Sequence, residues 1–527
     1  MIYIDPPYNT GKDFVYKDNF KDNLKNYLEI TGQLGEDGQK LSTNSETSGR
    51  YHSDWLNMMY PRLKLARNLL TDDGVIFISI DDNEQENLKK LCNEIFGEEN
   101  FIGNFIINST PNARDYGHIG KMHEYALFYS KNREKAVTYL LPEIDKEFKY
   151  FDEIGGFNIH PLYNSNVAFN KFNRPNLYYP FYINLNKKID EDFYEISLEK
   201  RENSIEIFPP LSVKDGVQFV WRWGKEKSKQ NLNIEIIGYK TADGNYRIVQ
   251  KMRHSEKLIR SLLLKTNYSS RRGTAEVEEI LKNKIFSFPK PLELIKDFIK
   301  VSLSSEDTIL DFFSGSATTA HAVMELNAED GGDRKYIMVQ LPEPCDEKSE
   351  AYKAGYRNIC EIGKERIRRA GEKIKADESL PLENREKLDI GFKVFKLDSS
   401  NIKEWDPETD DIKQTLLDSV DNIKPDRTPL DVLYEIILKY GLELTVPIEE
   451  NKNFYSIGGG TLLINLDKKI DMEVIDSICK EYRNLLEIDE DFKTTVVLRD
   501  SAFKNDIDKT NAMKKLEQVG IKEVRSI

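Results

Sequence analysis

Cysteine is scarce in this sequence. Cys92, Cys345, Cys360 and Cys479 are spread over 527 residues, with no Cys-x-x-Cys pair. That spacing argues against a disulfide scaffold or a zinc site, and it fits a reducing, cytoplasmic setting. Histidine is also sparse, at six residues, and none has metal-ligand spacing; His118 and His123 read as structural. No apolar run approaches the ~20 residues needed to cross a bilayer, so no membrane association is expected. The start, Met1-Ile2-Tyr3-Ile4-Asp5-Pro6-Pro7-Tyr8, lacks the basic and apolar regions of a secretory leader. Positive charge is not in excess either. The net charge is −14, which taken over the whole chain argues against a polyanion partner.

That average conceals a split. Residues 219–290 carry 16 Lys/Arg against 7 Asp/Glu, a net of +9, whereas residues 401–527 carry 18 against 27, a net of −9. A basic middle and an acidic tail suit local polyanion binding and a separate partner surface; ordinary surface variation is the plain alternative. Hydrophobic residues make up 39% of the chain, enough for real cores. At ~100–200 residues per domain the length suggests three or four domains.

The chain opens on a β-prone segment, Ile2-Tyr3-Ile4, which Asp5-Pro6-Pro7 must end. A domain beginning on its own buried strand implies a segment upstream. Residues 31–50, rich in Gly, Ser, Thr and Asn, predict a loop. A helical pattern runs from Asp54 through Leu70, followed by a buried strand at Val75–Ile80. Leu88, Leu91, Cys92, Ile95 and Phe96 then mark one helix face, closed by Gly97. Strand–helix alternation of this kind means α/β.

Residues 135–270 lose this regularity, and short strands in an inserted domain are expected there. The alternation resumes with a helix after Phe288-Pro289-Lys290-Pro291. A strand at Thr308–Asp311, a helix at Ala317–Leu326 and a strand at Tyr336–Gln340 then form a βαβ unit. A basic helix spans 351–375 and a charged linker 376–390. The final module, 391–527, reads as mixed α/β, with a bend at Gly458-Gly459-Gly460.

Two segments carry chemistry. The first is Asp5-Pro6-Pro7-Tyr8, extended by Asn9-Thr10-Gly11, at the carboxyl end of a buried strand, where open α/β sheets bind ligands. A carboxylate, a proline carbonyl and an aromatic face held rigidly together suit a planar ring with an exocyclic amine. Asp5 and the Pro6 carbonyl can accept its two N–H groups while Tyr8 stacks on the ring. Alone, such a tetrapeptide is equally a simple turn. The second is Asp311-Phe312-Phe313-Ser314-Gly315-Ser316-Ala317-Thr318-Thr319, a small-residue loop from strand to helix. Gly315 permits close backbone approach to a ligand, and a helix N-terminus offers free N–H groups. It is neither a Walker loop nor Gly-x-Gly-x-x-Gly, and alone it is weak evidence.

Together the two segments resemble the S-adenosylmethionine-dependent amino-methyltransferases of DNA, in the permuted order of the β group. Ser53-Asp54-Trp55-Leu56, Ser79-Ile80-Asp81-Asp82-Asn83-Glu84, Arg174-Pro175-Asn176-Leu177, Phe288–Pro291 and Phe395–Asn401 extend the likeness to the modification (Mod) subunit of Type III restriction–modification systems. The resemblance implies a Rossmann-like methyltransferase sheet in permuted order. Its catalytic half would be 1–134 and its cofactor-binding half 271–375. A target-recognition domain would be inserted at 135–270, and a small α/β module would close the chain at 391–527.

The resemblance also implies roles. Asp5, Pro6, Pro7 and Tyr8 hold the target adenine. Asp311, Phe313, Gly315, Ser316 and Thr318 line the S-adenosylmethionine pocket, with Pro289 and Lys290 at the amino-acid end of the cofactor. Gln340 stands near the ribose, where many relatives have an acidic residue, with Glu343 three positions on. Ala317, where many relatives have Gly, is expected to begin the helix. The basic stretch, with Trp221, Arg222, Trp223, Lys225, Lys227, Lys229, Arg271 and Arg272, is the candidate phosphate track, a solvated face being the alternative. Trp55 is expected in the core.

The implied activity is adenine-N6 methylation of double-stranded DNA. The implied partners are a second copy of the chain and a restriction (Res) helicase–nuclease subunit. By the same analogy a segment on the order of one hundred residues precedes the Asp5 strand in the family. A catalytically inactive recognition or assembly subunit is therefore one alternative. N4-cytosine transfer is another, although that group usually has Ser where Asp5 stands.

Overall fold

The computed structural model describes residues 1–10, 51–112, 118–143, 146–403 and 422–527. The loop expected at 31–50, and Gly11, lie outside them. The described chain divides after Ile390 into two units.

The first unit is built on seven strands, taken here with the helices between them: β1 Ile2–Ile4, α1 Tyr51–Leu69, β2 Val75–Ile80, α2 Gln85–Phe96, β3 Phe101–Ile107, β4 Glu124–Ser130, β5 Leu262–Leu263, α3 Ser270–Leu281, α4 Leu292–Ser302, β6 Thr308–Asp311, α5 Thr318–Asp330, β7 Lys335–Met338 and α6 Ile359–Ala376. The sheet order is β5-β3-β4-β2-β1-β6-β7. All neighbours are parallel except at β4, which runs against both β2 and β3.

β1 and β2 are buried along their whole length, as strands covered on both faces must be. Their side chains alternate between two cores. Tyr3 and Phe77 face Phe298 of α4, with the rings of Phe77 and Phe298 stacked 4.5 Å apart. Ile2, Ile4, Ile76 and Ile78 face Trp55, Met59 and Leu63 of α1, which puts Trp55 in the core. Helices on both faces of a mostly parallel sheet make a three-layer α/β architecture of Rossmann type. The order is permuted. The chain's first strand, β1, lies in register beside β6, with Ile2 opposite Leu310. From β1 the chain builds outward through β2 and β4; from β6 it builds the other way, to β7. That reversal is a topological switch point, and the crevice beyond the carboxyl ends of β1 and β6 is where this class of sheet binds ligands.

Within the same unit, residues 150–252 form a second, wholly antiparallel seven-stranded sheet. Phe181, Ile183, Trp221, Ile236 and Ile248 fill its core. The linker expected at 376–390 contains a short helix, Leu382–Lys387.

The second unit holds a five-stranded sheet between two cores. Leu463, Val496 and Leu498 pack with helices Met472–Ile488 and Asp506–Gln518; Ile457, Ile464 and Val497 pack with helix Pro429–Lys439. The bend at Gly458–Gly460 joins antiparallel strands, as its composition predicts. Among the described residues no helix is long and apolar enough to cross a membrane.

Candidate active site

Asp5, Pro6, Pro7 and Tyr8 leave β1 at the switch point, and Asp311 to Thr318 leave β6 beside them. Two segments some 300 positions apart in the chain thus share one crevice. Trp55 Nε1 donates to the Pro7 carbonyl at 2.7 Å, fixing the proline backbone from the core side. Asn9, at φ 58 and fully buried, donates to Glu84 Oε1 at 2.5 Å. Glu84, itself buried, also accepts from Asn87 at 2.8 Å, so the loop after Tyr8 is tied to the start of α2.

The chemistry of Asp5 is set by its neighbours. Lys290 Nζ lies 3.4 Å from Asp5 Oδ1 and 2.8 Å from Glu124 Oε2, and it also donates to the Tyr8 hydroxyl. That hydroxyl donates to Glu124 Oε2 at 3.1 Å. Lys290, expected on the cofactor side, thus points its ammonium at the Asp5–Tyr8 segment. Burial raises the Asp5 carboxyl above the ordinary carboxylate range, with Lys290 opposing. Burial works against the Lys290 ammonium, yet Asp5 and Glu124 beside it carry it above the ordinary lysine range. Burial, then Asp5 and Glu124, push the Tyr8 phenol far up, so it stays protonated and can donate.

Glu124 is a site residue the sequence does not announce. It stands 116 positions from Tyr8 in no motif. β4 is antiparallel to β2, so its first residue comes to the carboxyl edge of the parallel strands, where Tyr125 pairs with Ile80. The available signal was a carboxylate opening an apolar strand.

On the other side, Asp311 Oδ2 accepts from Thr319 Oγ1 at 2.6 Å and Oδ1 from the Phe313 N–H at 3.1 Å. Burial lifts its carboxyl to about 7. Gly315, at φ +50, donates its N–H to Gln340 Oε1 at 2.8 Å, and a side chain there would meet the Phe286 ring at 3.2 Å. Gln340 thus braces the loop, and it also donates to Glu343 Oε1 at 3.4 Å. Arg366 of α6, fully buried, donates NH1 to Ser316 Oγ at 2.8 Å and Thr318 Oγ1 at 2.6 Å. Burial lowers its guanidinium to about 10. Nothing in the local sequence pairs Arg366 with that loop. Ala317 departs from expectation. It is the cap residue before α5, in the left-handed conformation at φ 61 and ψ 41, rather than the first residue of the helix. The reversal from β6 into α5 requires positive φ there, and an alanine is strained in it by roughly 1–2 kcal/mol.

The charges around the crevice fit a cationic cofactor. Asp5 and Glu124 surround one ammonium, and a sulfonium bearing an amino group is favoured where carboxylates outnumber cations. The small residues Gly315, Ser316 and Thr318 leave room that larger side chains would fill.

Arg222, Lys225, Lys227 and Lys229 are exposed and belong to the 150–252 region, whereas Arg271 and Arg272 lie in the first turn of α3, where Arg272 pairs with Glu276 at 3.1 Å. Lys227 lies over the Trp223 ring at 4.4 Å. Trp221 is not a surface residue. It is buried in the core, its ring 5.3 Å from that of Phe181, and donates Nε1 to the Tyr179 carbonyl at 2.7 Å. Lys225 and Lys227 flank a cleft of about 490 Å³ opposite Pro175, Asn176 and Tyr178. The Arg174–Leu177 motif and part of the basic stretch therefore meet.

The geometry is that of an open α/β sheet with a carboxylate–aromatic segment and a small-residue loop side by side at its switch point. Residues 1–370 match the DNA methylase family N6_N4_Mtase, and the chain belongs to that family. It is 37% identical over 410 residues to the Type III restriction-modification enzyme EcoPI Mod subunit of Escherichia phage P1, covering 75% of this chain and 61% of that protein. It is 34% identical over 400 residues to the StyLTI Mod subunit of Salmonella typhimurium, covering 75% and 56%. With the Type II methyltransferase M.KpnI of Klebsiella pneumoniae it shares 33% over 367 residues, covering 69% and 80%. The chain spans about three fifths of the length of these Mod subunits.

Proposed function

We propose that this chain transfers a methyl group from S-adenosylmethionine to adenine N6 in double-stranded DNA, as the modification and recognition subunit of a Type III restriction–modification system. The observation that carries the reading is the adjacency of Asp5–Tyr8 and Asp311–Thr318 at one switch point. The likeness to two Mod subunits supports the Type III assignment. Asp5 supports adenine over cytosine, because the N4-cytosine group usually has Ser at this position. The 150–252 sheet, with Arg222, Lys225, Lys227 and Lys229, reads the DNA, and Arg271 and Arg272 hold phosphate nearer the crevice. A second copy of the chain and a Res subunit are the assembly partners.

The target adenine must leave the duplex, at a cost of a few kcal/mol. Stacking on Tyr8 returns about 1–3 kcal/mol. Asp5 and the Pro6 carbonyl accept the two N6 hydrogens and draw the nitrogen toward tetrahedral geometry, so its lone pair is free to form the new N–C bond. S-adenosylmethionine, when bound, would supply the methyl from its sulfonium, the methyl–sulfur bond breaking as the N–C bond forms and leaving a neutral thioether. Asp311, Phe313, Gly315, Ser316, Thr318 and Pro289 would hold it, with Gln340 behind the loop. Orientation of the amine by the Asp5–Tyr8 segment is worth up to ~7–11 kcal/mol. The nitrogen then sheds one proton, which Asp5 takes or passes to water; burial has already raised this carboxyl's proton affinity.

Replacing Asp5 with Ala is expected to abolish transfer of labelled methyl to DNA while S-adenosylmethionine binding, read by calorimetry, is kept. Near-normal turnover by Asp5→Ala would end this assignment.

A further inference from the structure

The Asp5 site contains more than an acceptor. Lys290 has three N–H donors, and three groups surround them: Asp5, Glu124 and the Tyr8 hydroxyl. The ammonium and Glu124 are both only 10% exposed, so this is an interior cluster rather than a surface pair. The contacts are unequal. Lys290 sits at 2.8 Å from Glu124 but 3.4 Å from Asp5, longer than a charge-assisted hydrogen bond of ~2.7–2.9 Å. The Tyr8 hydroxyl accepts from Lys290 and donates to Glu124, which fixes the ring that borders Asp5.

We propose that Glu124 and Lys290 are positioning residues for methyl transfer. Glu124 holds the Lys290 ammonium back from Asp5, so that the carboxylate keeps a neighbouring positive charge through a contact long enough for an incoming amine to displace. This rests on the methyltransferase reading above. Without Lys290, Asp5 would be left in a desolvated site beside Glu124, and it would take up a proton and lose its capacity to accept. Without Glu124, the ammonium would close onto Asp5, and a neutral amine would have to displace a charge-assisted bond. The other ionisable groups facing Asp5 are Tyr8, Tyr3 of β1 and Asp311 of β6. None of the three supplies positive charge, so Lys290 has no substitute among them.

The cluster predicts opposite effects from removing its two members. Carbon-13 NMR on aspartate-labelled, cofactor-free full chain would follow the Asp5 carboxyl, assigned by its loss in Asp5→Asn. In Lys290→Met the Asp5 midpoint should rise by about 1–3 units. In Glu124→Gln it should fall, because a like charge is removed and the ammonium closes in. A merely structural role would not give shifts of opposite sign. Glu124→Gln retains the lysine, so its downward shift tests the proposal even if Lys290→Met does not fold. Transfer assays on the same proteins should show kcat/KM for DNA falling about ten- to a hundredfold in Glu124→Gln, with S-adenosylmethionine affinity unchanged. Shifts of the same sign, or below about 0.3 units in both variants, would overturn the proposal. Opposite shifts in the two variants, together with a wild-type chain that never methylates DNA, would instead leave the cluster standing and remove the methyltransferase reading.

Discussion

Asp311 sits in an environment unlike the one its side chain prefers. It is 3% exposed, accepts from Thr319 and Phe313, and its carboxyl is lifted to about 7 by burial. In the unfolded chain an aspartate titrates near ~3.9. Between those values the folded state holds the proton and the unfolded state does not, so stability falls as pH rises through this window and levels off above it. Relative to Asp311→Asn, which does not titrate, wild type should lose a few kcal/mol between about pH 4 and pH 7. Urea midpoints at several pH values check this; parallel curves for the two proteins would mean that the carboxyl is well solvated.

At the level of elements, the placement of Lys290 depends on a close packing between α3 and the segment before α4. A β-carbon on Gly273 of α3 would clash with the Pro289 carbonyl oxygen and come within 3.0 Å of the Lys290 backbone. Both are main-chain atoms and cannot rotate away. Gly273→Ala should therefore push Pro289–Lys290 outward, costing about 1–3 kcal/mol of stability and loosening the Lys290–Asp5 pair. The expected result is a lower melting temperature together with reduced transfer to DNA; an unchanged protein would show that the helix can slide. Close packing on both faces likewise leaves β1 no solvent-facing position before Asp5. Ile2, Tyr3 and Ile4 are each at most 2% exposed, because a central strand of a three-layer sheet has no wet face.

Over the whole molecule, the net charge of −14 says little about where DNA would bind, since the exposed cations of the 150–252 region are local. If Arg222, Lys225, Lys227 and Lys229 each neutralise a phosphate, replacing all four with Ala should flatten the dependence of log K on log salt by ~0.9 per lost contact, without changing cofactor affinity. Binding measured by fluorescence anisotropy across a salt series checks this, and an unaltered slope would move the phosphate track elsewhere. The strands Ile2–Ile4, Val75–Ile80 and Thr308–Asp311 were legible in the sequence because buried parallel strands read as continuous β-branched runs. The Asp5–Tyr8 segment was legible because its prolines stiffen the chain past a strand, and the Asp311–Thr318 segment because a small-residue loop between strand and helix admits a ligand close to the backbone. What the sequence alone could not supply was neighbourhood. That β1 pairs with β6, that Glu124 reaches Tyr8 through an antiparallel strand, that Arg366 supports the Ser316–Thr318 loop and that Ala317 takes a left-handed turn all depend on contacts between distant positions. Local propensity acts over a few residues, whereas these contacts exist only once the sheet has closed around them.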